Sequence, residues 1–302
     1  MPIHPQAQAV IDGNGWSTLD PAVVGVDTLR QAMNTRLIEL AGVGPALHAV
    51  TDDLIDSGTG QIPVRIYQPV APDTPLPVFI YFHSGGYCVY DIDTADAQCR
   101  TIALETRCIV LSVGYRLAPE AKFPAAVDDA WAALQWAASS PAALNADPAR
   151  IAIGGESCGG TLATVCALLA RDGNGPALRL VVLSCALLEM GRRDPLAPPS
   201  LAGWMRDQYL GDPNDADDFR ASPLRHPDLG RLPPHLILTG EFDGLRGQCA
   251  AYAAKLDAAG TTVTFKEFPG MIHNFTGMGA ALDDAAHGIS MISAGLRSAL
   301  GD

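Results

Sequence analysis

The 302-residue sequence is poor in positive charge. It contains 20 Lys and Arg against 33 Asp and Glu, which gives a formal net charge of −13 at pH 7. No run rich in Lys or Arg interrupts this excess, so the phosphate backbone of a nucleic acid would be repelled rather than attracted. We therefore expect no nucleic-acid partner.

Long apolar runs and paired cysteines are also missing. The apolar stretches are short and broken by Gly, Pro or charge, which predicts no membrane span. The first residues lack the basic and then apolar pattern of a secretory signal. The seven cysteines are an odd number, scattered and without a CxxC pair, which argues against a disulfide framework or a zinc site. We expect a cytoplasmic protein with reduced thiols, no metal and no membrane partner.

What the sequence does contain is an alternation of strand and helix patterns after Pro77. Apolar residues stand at consecutive positions in the strand-like runs, as expected for a parallel sheet covered by helices on both faces. With 48% hydrophobic residues, the chain can build the core of such a doubly wound α/β sandwich. The strands are predicted at 78–83, 108–113, 150–155, 178–184, 235–240 and 262–268, and the helices at 94–105, 125–139, 158–171, 245–259 and 282–299.

Three segments lie outside this alternation. Residues 48–55 and 61–69 flank the turn DSGTG and predict an antiparallel hairpin at the edge of the sheet. Residues 1–45 carry a helical pattern over Pro21–Leu40, and residues 186–226 hold the Pro-rich GRRDPLAPPS followed by the helix-like SLAGWMRDQYL. These last two segments are either surface decoration or a cap over the sheet. Their length favours the cap, because long loops in a compact domain are usually functional.

Ser157 lies in a G-x-S-x-G pattern, between a predicted strand and a predicted helix. This context is typical of a nucleophile elbow, in which glycines two positions either side of the serine leave room for a sharp turn. The helix that begins at Cys158 would direct its positive end towards negative charge that develops at the serine. The alternative is a glycine-rich turn whose serine only caps the helix.

A second glycine pattern, His83-Ser84-Gly85-Gly86-Tyr87, follows the strand 78–83. Adjacent glycines let backbone N–H groups approach a substrate oxygen, so we predict that Gly85 and Gly86, together with the N–H of Cys158, form an oxyanion hole. The alternative is an ordinary loop.

A nucleophilic serine needs a base and a carboxylate that orients the base. His273 follows the last predicted strand, at the edge of the sheet where Ser157 also emerges, and is the predicted base. Asp243 follows the strand 235–240 and is the predicted carboxylate, with Glu241 as its competitor. Taken singly, an Asp that caps a helix and a His that faces solvent are both common, but the order Ser157, Asp243, His273 is that of α/β-hydrolases.

The chain resembles the bacterial hormone-sensitive-lipase-like esterases, the family IV carboxylesterases of the α/β-hydrolase fold. The resemblance covers most of the sequence and consists of five blocks in the family's order: FHSGGY, YRLAPEAKFPAAVDD, GGESCGG, LPPHLILTGEFDGLR and FPGMIHNF. It implies a single domain with a mostly parallel eight-stranded sheet, and a helical cap from about 1–45 and 187–226 over a core of 46–186 and 227–302. It also implies hydrolysis of short- to medium-chain carboxylic esters without cofactor or metal. A homodimer through the edge strand is a further implication.

Several residues depart from the family pattern. The family loop usually reads His-Gly-Gly-Gly, whereas Ser84 replaces its first glycine here. The elbow usually reads Asp-Ser-Ala, whereas Glu156 and Cys158 flank the serine in this chain. Asn274 replaces the glycine that usually follows the histidine. None of these changes removes a catalytic group, because Cys158 still offers its backbone N–H.

Other functions remain open at this point. An amidase or deacylase could use the same triad, and a ligand-binding protein could use the same scaffold, although such a protein would be expected to lose a triad residue. A thiol enzyme that uses Cys158 is disfavoured, because the elbow exposes position 157 and turns position 158 into the helix.

The region of the cap offers candidates for the substrate pocket. Trp204, Met205 and Tyr209, with Leu187, Leu188 and Met190, form either an apolar substrate site or the packing of the cap on the core. His83, Ser84, Tyr87 and Glu156 are candidate residues around the catalytic groups.

Overall fold

The fold is built around one sheet of eight strands. The computed structural model describes residues 2–13, 21–58, 60–71, 74–141, 144–191 and 200–301. Within these residues the strand order is β1-β2-β4-β3-β5-β6-β7-β8. The strands are β1 Ala49–Asp56, β2 Gln61–Gln68, β3 Leu76–Phe82, β4 Ile109–Val113, β5 Ala146–Glu156, β6 Val181–Ser184, β7 His235–Phe242 and β8 Val263–Ile272.

Strands β3 to β8 run parallel, as their continuous apolar sequences predict. β3 pairs in parallel with β4 and β5, and parallel pairing continues through β6 and β7 to β8. β1 and β2 form the predicted antiparallel hairpin, and β2 joins it to the sheet by antiparallel pairing with β4. The prediction of a mostly parallel eight-stranded sheet is confirmed.

Helices cover the sheet on both faces. In the described residues they are α1 Pro5–Asp12, α2 Pro21–Val24, α3 Val26–Ala41, α4 Asp96–Thr106, α5 Ala125–Ala138, α6 Cys158–Asp172, α7 Leu201–Tyr209, α8 Arg246–Ala258 and α9 Asp283–Leu300. The five predicted core helices are all present. The helical pattern over Pro21–Leu40 is interrupted at Gly25, whose φ of 77° ends α2 before α3 begins. α1 was not predicted from the sequence.

The core is continuous across the sheet. β4 is buried along its whole length, and α6 is buried on nearly every side because it packs between the sheet and its neighbours. All seven cysteines are free and buried. In the described part of the chain, no helix has both the length and the apolar character needed to cross a membrane.

The two segments predicted to form a cap are only partly described. α1, α2 and α3 belong to the first segment and α7 to the second. Residues 14–20 and 192–199, which include most of GRRDPLAPPS, lie outside the described residues.

The parallel strands place the predicted functional residues at one edge of the sheet. β5 ends immediately before Ser157, β7 ends before Asp243, and β8 ends before His273. The loop that holds Gly85 and Gly86 follows the end of β3. Since the carboxyl ends of parallel strands meet at the same edge, four distant parts of the sequence come together there.

Candidate active site

Ser157 stands at a sharp turn between β5 and α6. Its φ of 56° and ψ of −120° lie in a region that non-glycine residues rarely adopt. The turn requires glycine on both sides. A Cβ on Gly159 would lie 2.1 Å from the carbonyl oxygen of Phe82, and a Cβ on Gly155 would lie 2.4 Å from the backbone of Gly159. The glycine spacing seen in the sequence is therefore a steric requirement of this turn.

His273 and Asp243 complete a hydrogen-bonded row with Ser157. Nε2 of His273 lies 3.0 Å from Oγ of Ser157, and Nδ1 lies 3.0 Å from Oδ1 of Asp243. The backbone N–H of Leu245 also donates to Oδ1 of Asp243 at 2.8 Å. Glu241, the competing carboxylate, accepts instead from the N–H of Gly270. Of the two carboxylates, Asp243 is thus the one that contacts the histidine.

The electrostatics of His273 and Asp243 favour protonation of the histidine ring. Burial opposes a charge on His273, but the hydrogen bond and the charge of Asp243 overcome it and raise the pKa of His273 above its usual value. Burial also opposes the charge of Asp243, and the hydrogen bond with His273 overcomes it, so that the pKa of Asp243 is lowered. An imidazolium formed at His273 would therefore face an ionised carboxylate.

The backbone N–H groups of Gly85, Gly86 and Cys158 are the predicted oxyanion donors. Gly85 and Gly86 line the same cavity as Ser157, and Cys158 directly follows Ser157 at the start of α6. In the described residues, no backbone carbonyl accepts a hydrogen bond from any of the three. Gly85 has a φ of 116°, and a Cβ there would lie 2.0 Å from the carbonyl oxygen of Val89. The tight turn of this loop therefore requires glycine at position 85. An oxyanion hole needs backbone N–H groups that are not already bonded to carbonyl oxygens, and these three meet that condition.

His83 packs beneath this loop, on the side away from the cavity. Its ring is buried, stacks on Tyr115 at a centroid distance of 4.3 Å, and contacts the carbonyl oxygen of Ser84 through Nδ1 at 2.7 Å. Burial lowers the pKa of His83 to about 4, so the ring is neutral at pH 7. The hydroxyl of Tyr115 donates to the carbonyl oxygen of His83 at 2.9 Å. His83 therefore supports the loop and is not part of the hydrogen-bonded row.

Glu156 lies beneath the serine and does not face the cavity. Its carboxylate accepts from Oγ1 of Thr276 at 2.7 Å and from Oγ of Ser184 at 3.4 Å. Burial raises the pKa of Glu156 to about 7, because the charged form has lost its hydration. The carboxyl group thus ties β5 to the segment that follows His273.

The thiol of Cys158 is enclosed in the protein. Its Sγ lies 3.5 Å from the hydroxyl of Tyr115, and burial raises the pKa of the thiol above its usual value. A thiol that stays protonated is a poor nucleophile. The thiol of Cys158 is therefore not a candidate nucleophile.

A cavity of about 820 Å³ opens over Ser157. Of the predicted pocket residues, Tyr87, Leu187, Met190 and Met205 line it. Trp204 does not. It lies on another side of α7 from Met205 and is half-buried against the hydrophobic core. For Trp204 the alternative of cap-to-core packing fits the structure.

Several residues around Ser157 were not predicted from the sequence. Ile11, Met33 and Met278 line the cavity, although they are remote in the sequence and carry no motif. Thr276 and Ser184 were not predicted either, because they are distant from Glu156 in the sequence and contact it only in the folded chain. Asn274, noted only as a departure, donates a hydrogen bond from Nδ2 to Oγ of Ser84 at 3.1 Å.

One group of side chains has donor atoms that a metal could use. In the described residues, a sulfur, a carboxylate oxygen and a ring nitrogen from Cys185, Asp243 and His273 lie within 4.8 Å of one another. Two of these residues already hydrogen-bond each other in the row that ends at Ser157. The group is therefore part of the site described above, and Cys185 was not among the predicted site residues.

Comparison with known proteins agrees with this geometry. A family model described as the alpha/beta hydrolase fold matches residues 79–277. The carboxylesterase NlhH of Mycobacterium tuberculosis is 38% identical over 255 residues, which is 80% of each chain. An ethyl acetate hydrolase of Pseudomonas putida is 33% identical and is aligned over 91% of this chain and 90% of its own.

A solved structure extends the similarity to the whole fold. The hyperthermophilic esterase of the archaeon Pyrobaculum calidifontis superposes with a TM-score of 0.91 at 32% identity, and 99% of each chain is covered. Similarity at this level, over nearly the full length, includes the strands and loops that position the row of Ser157, His273 and Asp243.

Proposed function

This chain belongs to the hormone-sensitive-lipase-like branch of the α/β-hydrolase family and hydrolyses carboxylic esters, and we propose that Ser157, His273 and Asp243 carry out the reaction. The observation that supports the proposal most strongly is the row of two 3.0 Å contacts from Ser157 Oγ through His273 to Asp243. The same row with this order of roles is known to activate serine in unrelated hydrolases.

In the first half of the reaction, Oγ of Ser157 attacks the carbonyl carbon of the ester while Nε2 of His273 takes its proton. Asp243 fixes the tautomer of the imidazole and stabilises the imidazolium. The N–H groups of Gly85, Gly86 and Cys158 bind the oxyanion of the tetrahedral intermediate. Its collapse breaks the carbon–oxygen bond of the ester, His273 gives its proton to the leaving alcohol, and an acyl-enzyme remains on Ser157.

In the second half, a water molecule takes the place of the alcohol. His273 removes a proton from the water, whose oxygen attacks the acyl carbon, and the same N–H groups bind the second oxyanion. When this intermediate collapses, the proton returns from His273 to Oγ of Ser157 and the carboxylic acid leaves. The cycle thus consumes one water and restores the enzyme without a cofactor.

We propose that the segments 1–45 and 187–226 form a cap over this site. The support is that Ile11 and Met33 from the first segment, and Leu201 and Met205 from the second, line the same cavity as Ser157. Apolar side chains from two separate segments would then enclose the acyl part of the substrate and exclude water from it.

We propose short- to medium-chain esters as the substrates. The cavity of about 820 Å³ is lined mainly by apolar side chains and falls within the usual range for small-molecule sites. The name of the Pseudomonas putida relative, an ethyl acetate hydrolase, points to the same class. The high negative charge of the chain adds no support for nucleic acid as a partner.

The test is a series of p-nitrophenyl esters of increasing acyl length, together with matched anilides. The wild type should prefer short to medium acyl chains and esters over anilides, and Ser157→Ala should lose at least about 10³-fold in kcat. Ser293→Ala removes another buried serine hydroxyl, in α9, and should keep full activity. A long-chain optimum would overturn the substrate class, and an active Ser157→Ala would overturn the assignment of the nucleophile.

We also propose a homodimer through β8 and a cytoplasmic location. β8 lies at an edge of the sheet and exposes Phe265. An unpaired edge strand is a template for pairing with a second chain. Light scattering should then give twice the chain mass of 31.7 kDa, and a monomeric mass would contradict the dimer. The seven free thiols support a reducing compartment.

A further inference from the structure

One side-chain hydrogen bond joins the two loops on either side of the reacting atoms. Nδ2 of Asn274 donates to Oγ of Ser84 at 3.1 Å, and both residues are buried. Asn274 directly follows His273 in the sequence, and Ser84 directly precedes Gly85. We propose that this bond fixes the position of the oxyanion loop, residues 83–87, relative to the catalytic base His273. Ser84 and Asn274 are then positioning residues. The inference depends on the roles proposed above.

Ser84 and Tyr87, on either side of the two glycines, are the nearest positions at which this loop can carry an anchoring side chain. A Cβ on Gly85 would lie 2.0 Å from the carbonyl oxygen of Val89, and a Cβ on Gly86 would lie 2.5 Å from Sδ of Met205. The donors themselves must therefore remain glycine. Tyr87, which follows the two glycines, stacks on Tyr209 at a centroid distance of 3.7 Å. Ser84, which precedes them, is the neighbour whose side chain contacts the residue after the base, because its hydroxyl accepts a hydrogen bond from Asn274.

Asn274 directly follows the proposed base, His273, in the sequence. Its φ of 61° and ψ of 24° lie in the left-handed region, which asparagine and glycine tolerate best. Glycine would satisfy this backbone equally well, so the turn alone does not require an amide side chain. What the amide adds is the hydrogen bond to Ser84.

The amide also carries a cost that glycine would avoid. Oδ1 of Asn274 is buried and has no hydrogen-bond partner among the residues that the structure describes. An unsatisfied buried oxygen lowers the stability of the folded protein. A side chain that is neither required by the turn nor fully satisfied is better explained by its position in the site than by the stability of the fold.

The other polar network near His273 does not replace this link. Thr276 bonds to Glu156 and Ser184, which ties the segment after His273 to β5 and β6. In the described part of the chain, no other hydrogen bond joins residues 83–86 to residues 273–276. The distance between the oxyanion donors and the base therefore depends on Ser84 and Asn274.

The test is a double-mutant cycle of Ser84→Ala, Asn274→Gly and the double variant. Each is assayed for kcat and KM on p-nitrophenyl butyrate, and for inhibition by an alkyl trifluoromethyl ketone. Such a ketone forms a tetrahedral adduct with the serine and so reports the geometry of the oxyanion hole. Each single variant should lose about two- to tenfold in kcat and in affinity for the ketone, while KM stays nearly constant. The double variant should lose no more than either single variant.

The control is Thr261→Ala, which removes a buried hydroxyl that donates to the carbonyl oxygen of Leu229 at 2.8 Å. Thr261 precedes β8, at the opposite edge of the sheet from the site. This variant should melt at a lower temperature and keep its kcat and its affinity for the ketone. Ser84→Gly removes the same hydroxyl in a second way and should repeat the loss seen for Ser84→Ala.

Two outcomes would overturn the proposal. Losses that multiply in the double variant would show that Ser84 and Asn274 act independently. Single variants that lose melting temperature but no kcat, like Thr261→Ala, would show a role in stability alone. Ser157→Ala, measured alongside, keeps the two proposals distinct. If it remains active, the proposed nucleophile is wrong, whereas an inactive Ser157→Ala with multiplying losses refutes only the positioning role.

Discussion

Met205 packs directly over Gly86, so that a Cβ on this glycine would lie 2.5 Å from Sδ of the methionine. This contact brings α7 against the loop that holds the proposed oxyanion donors. Met205 also lines the cavity over Ser157. The same side chain thus limits the space in the cavity and covers the proposed oxyanion hole.

Met205→Ala should shift the preferred acyl chain to longer esters, because it enlarges the cavity beside Gly86. The side chain is 9% exposed, so the variant should also lose about 2 kcal/mol of unfolding free energy, at the low end for a buried methionine. The measurement is kcat/KM across p-nitrophenyl esters of increasing length. Trp204→Ala, on another side of α7, is the matched control and should keep the wild-type profile. An equal shift in both variants would contradict the role of Met205.

Asp243→Asn should lower kcat by about 10⁴-fold, as in other enzymes that lose the carboxylate behind the histidine. The raised pKa of His273 places the acid limb of the wild-type pH–rate profile above 6.5, since the histidine must be neutral to act as a base. Without the charge at Asp243, that limb should move to lower pH. Glu241→Gln removes the competing carboxylate and should leave both the rate and the acid limb unchanged. An unshifted limb in Asp243→Asn would contradict the proposed coupling.

Glu156→Gln should stabilise the protein at pH 8 more than at pH 5. The pKa of Glu156 is raised to about 7 in the folded state from an ordinary 4.5, so the folded protein favours the protonated form. The protonated carboxyl group therefore contributes to the free energy of unfolding in full below pH 4.5, and this contribution is lost as the pH rises through 7. The gain at pH 8 is on the order of 3 kcal/mol. Chemical denaturation at both pH values checks it, and an equal effect at pH 5 and pH 8 would contradict the ionisation of a buried group.

Cys158→Ala should keep activity within about threefold of the wild type, because only the backbone N–H of Cys158 enters the proposed mechanism. Iodoacetamide should leave the native enzyme active, since the thiol is buried and its pKa is raised. Rapid inactivation of the wild type, with resistance in Cys158→Ala, would contradict this assignment.

The sequence was sufficient to predict the sheet and the hydrogen-bonded row, for a physical reason. Parallel strands need continuous apolar runs, and an elbow at Ser157 needs glycine at fixed positions, so both features leave a local trace in the sequence. His273 and Asp243 could be found because each directly follows a strand, and the carboxyl ends of parallel strands meet at one edge of the sheet.

The walls of the cavity could not be predicted in the same way. Met33 and Met278 reach the site only through the packing of distant segments, and their neighbours in the sequence give no sign of it. Trp204 was a candidate to line the cavity and does not. It is adjacent to Met205 in the sequence but lies on another side of the same helix. The bond between Ser84 and Asn274 spans 190 positions and was visible in the sequence only as two separate departures from a pattern.

The most direct test of the account is covalent labelling with diethyl p-nitrophenyl phosphate, followed by intact mass spectrometry and peptide mapping. The reagent phosphorylates an activated serine and releases p-nitrophenol. We predict one diethylphosphoryl group per chain, located on Ser157, loss of esterase activity in proportion to labelling, and no label on Ser157→Ala. A label on any other residue that accompanies the loss of activity, or full activity in a chain labelled at Ser157, would contradict the claim that Ser157 is the nucleophile.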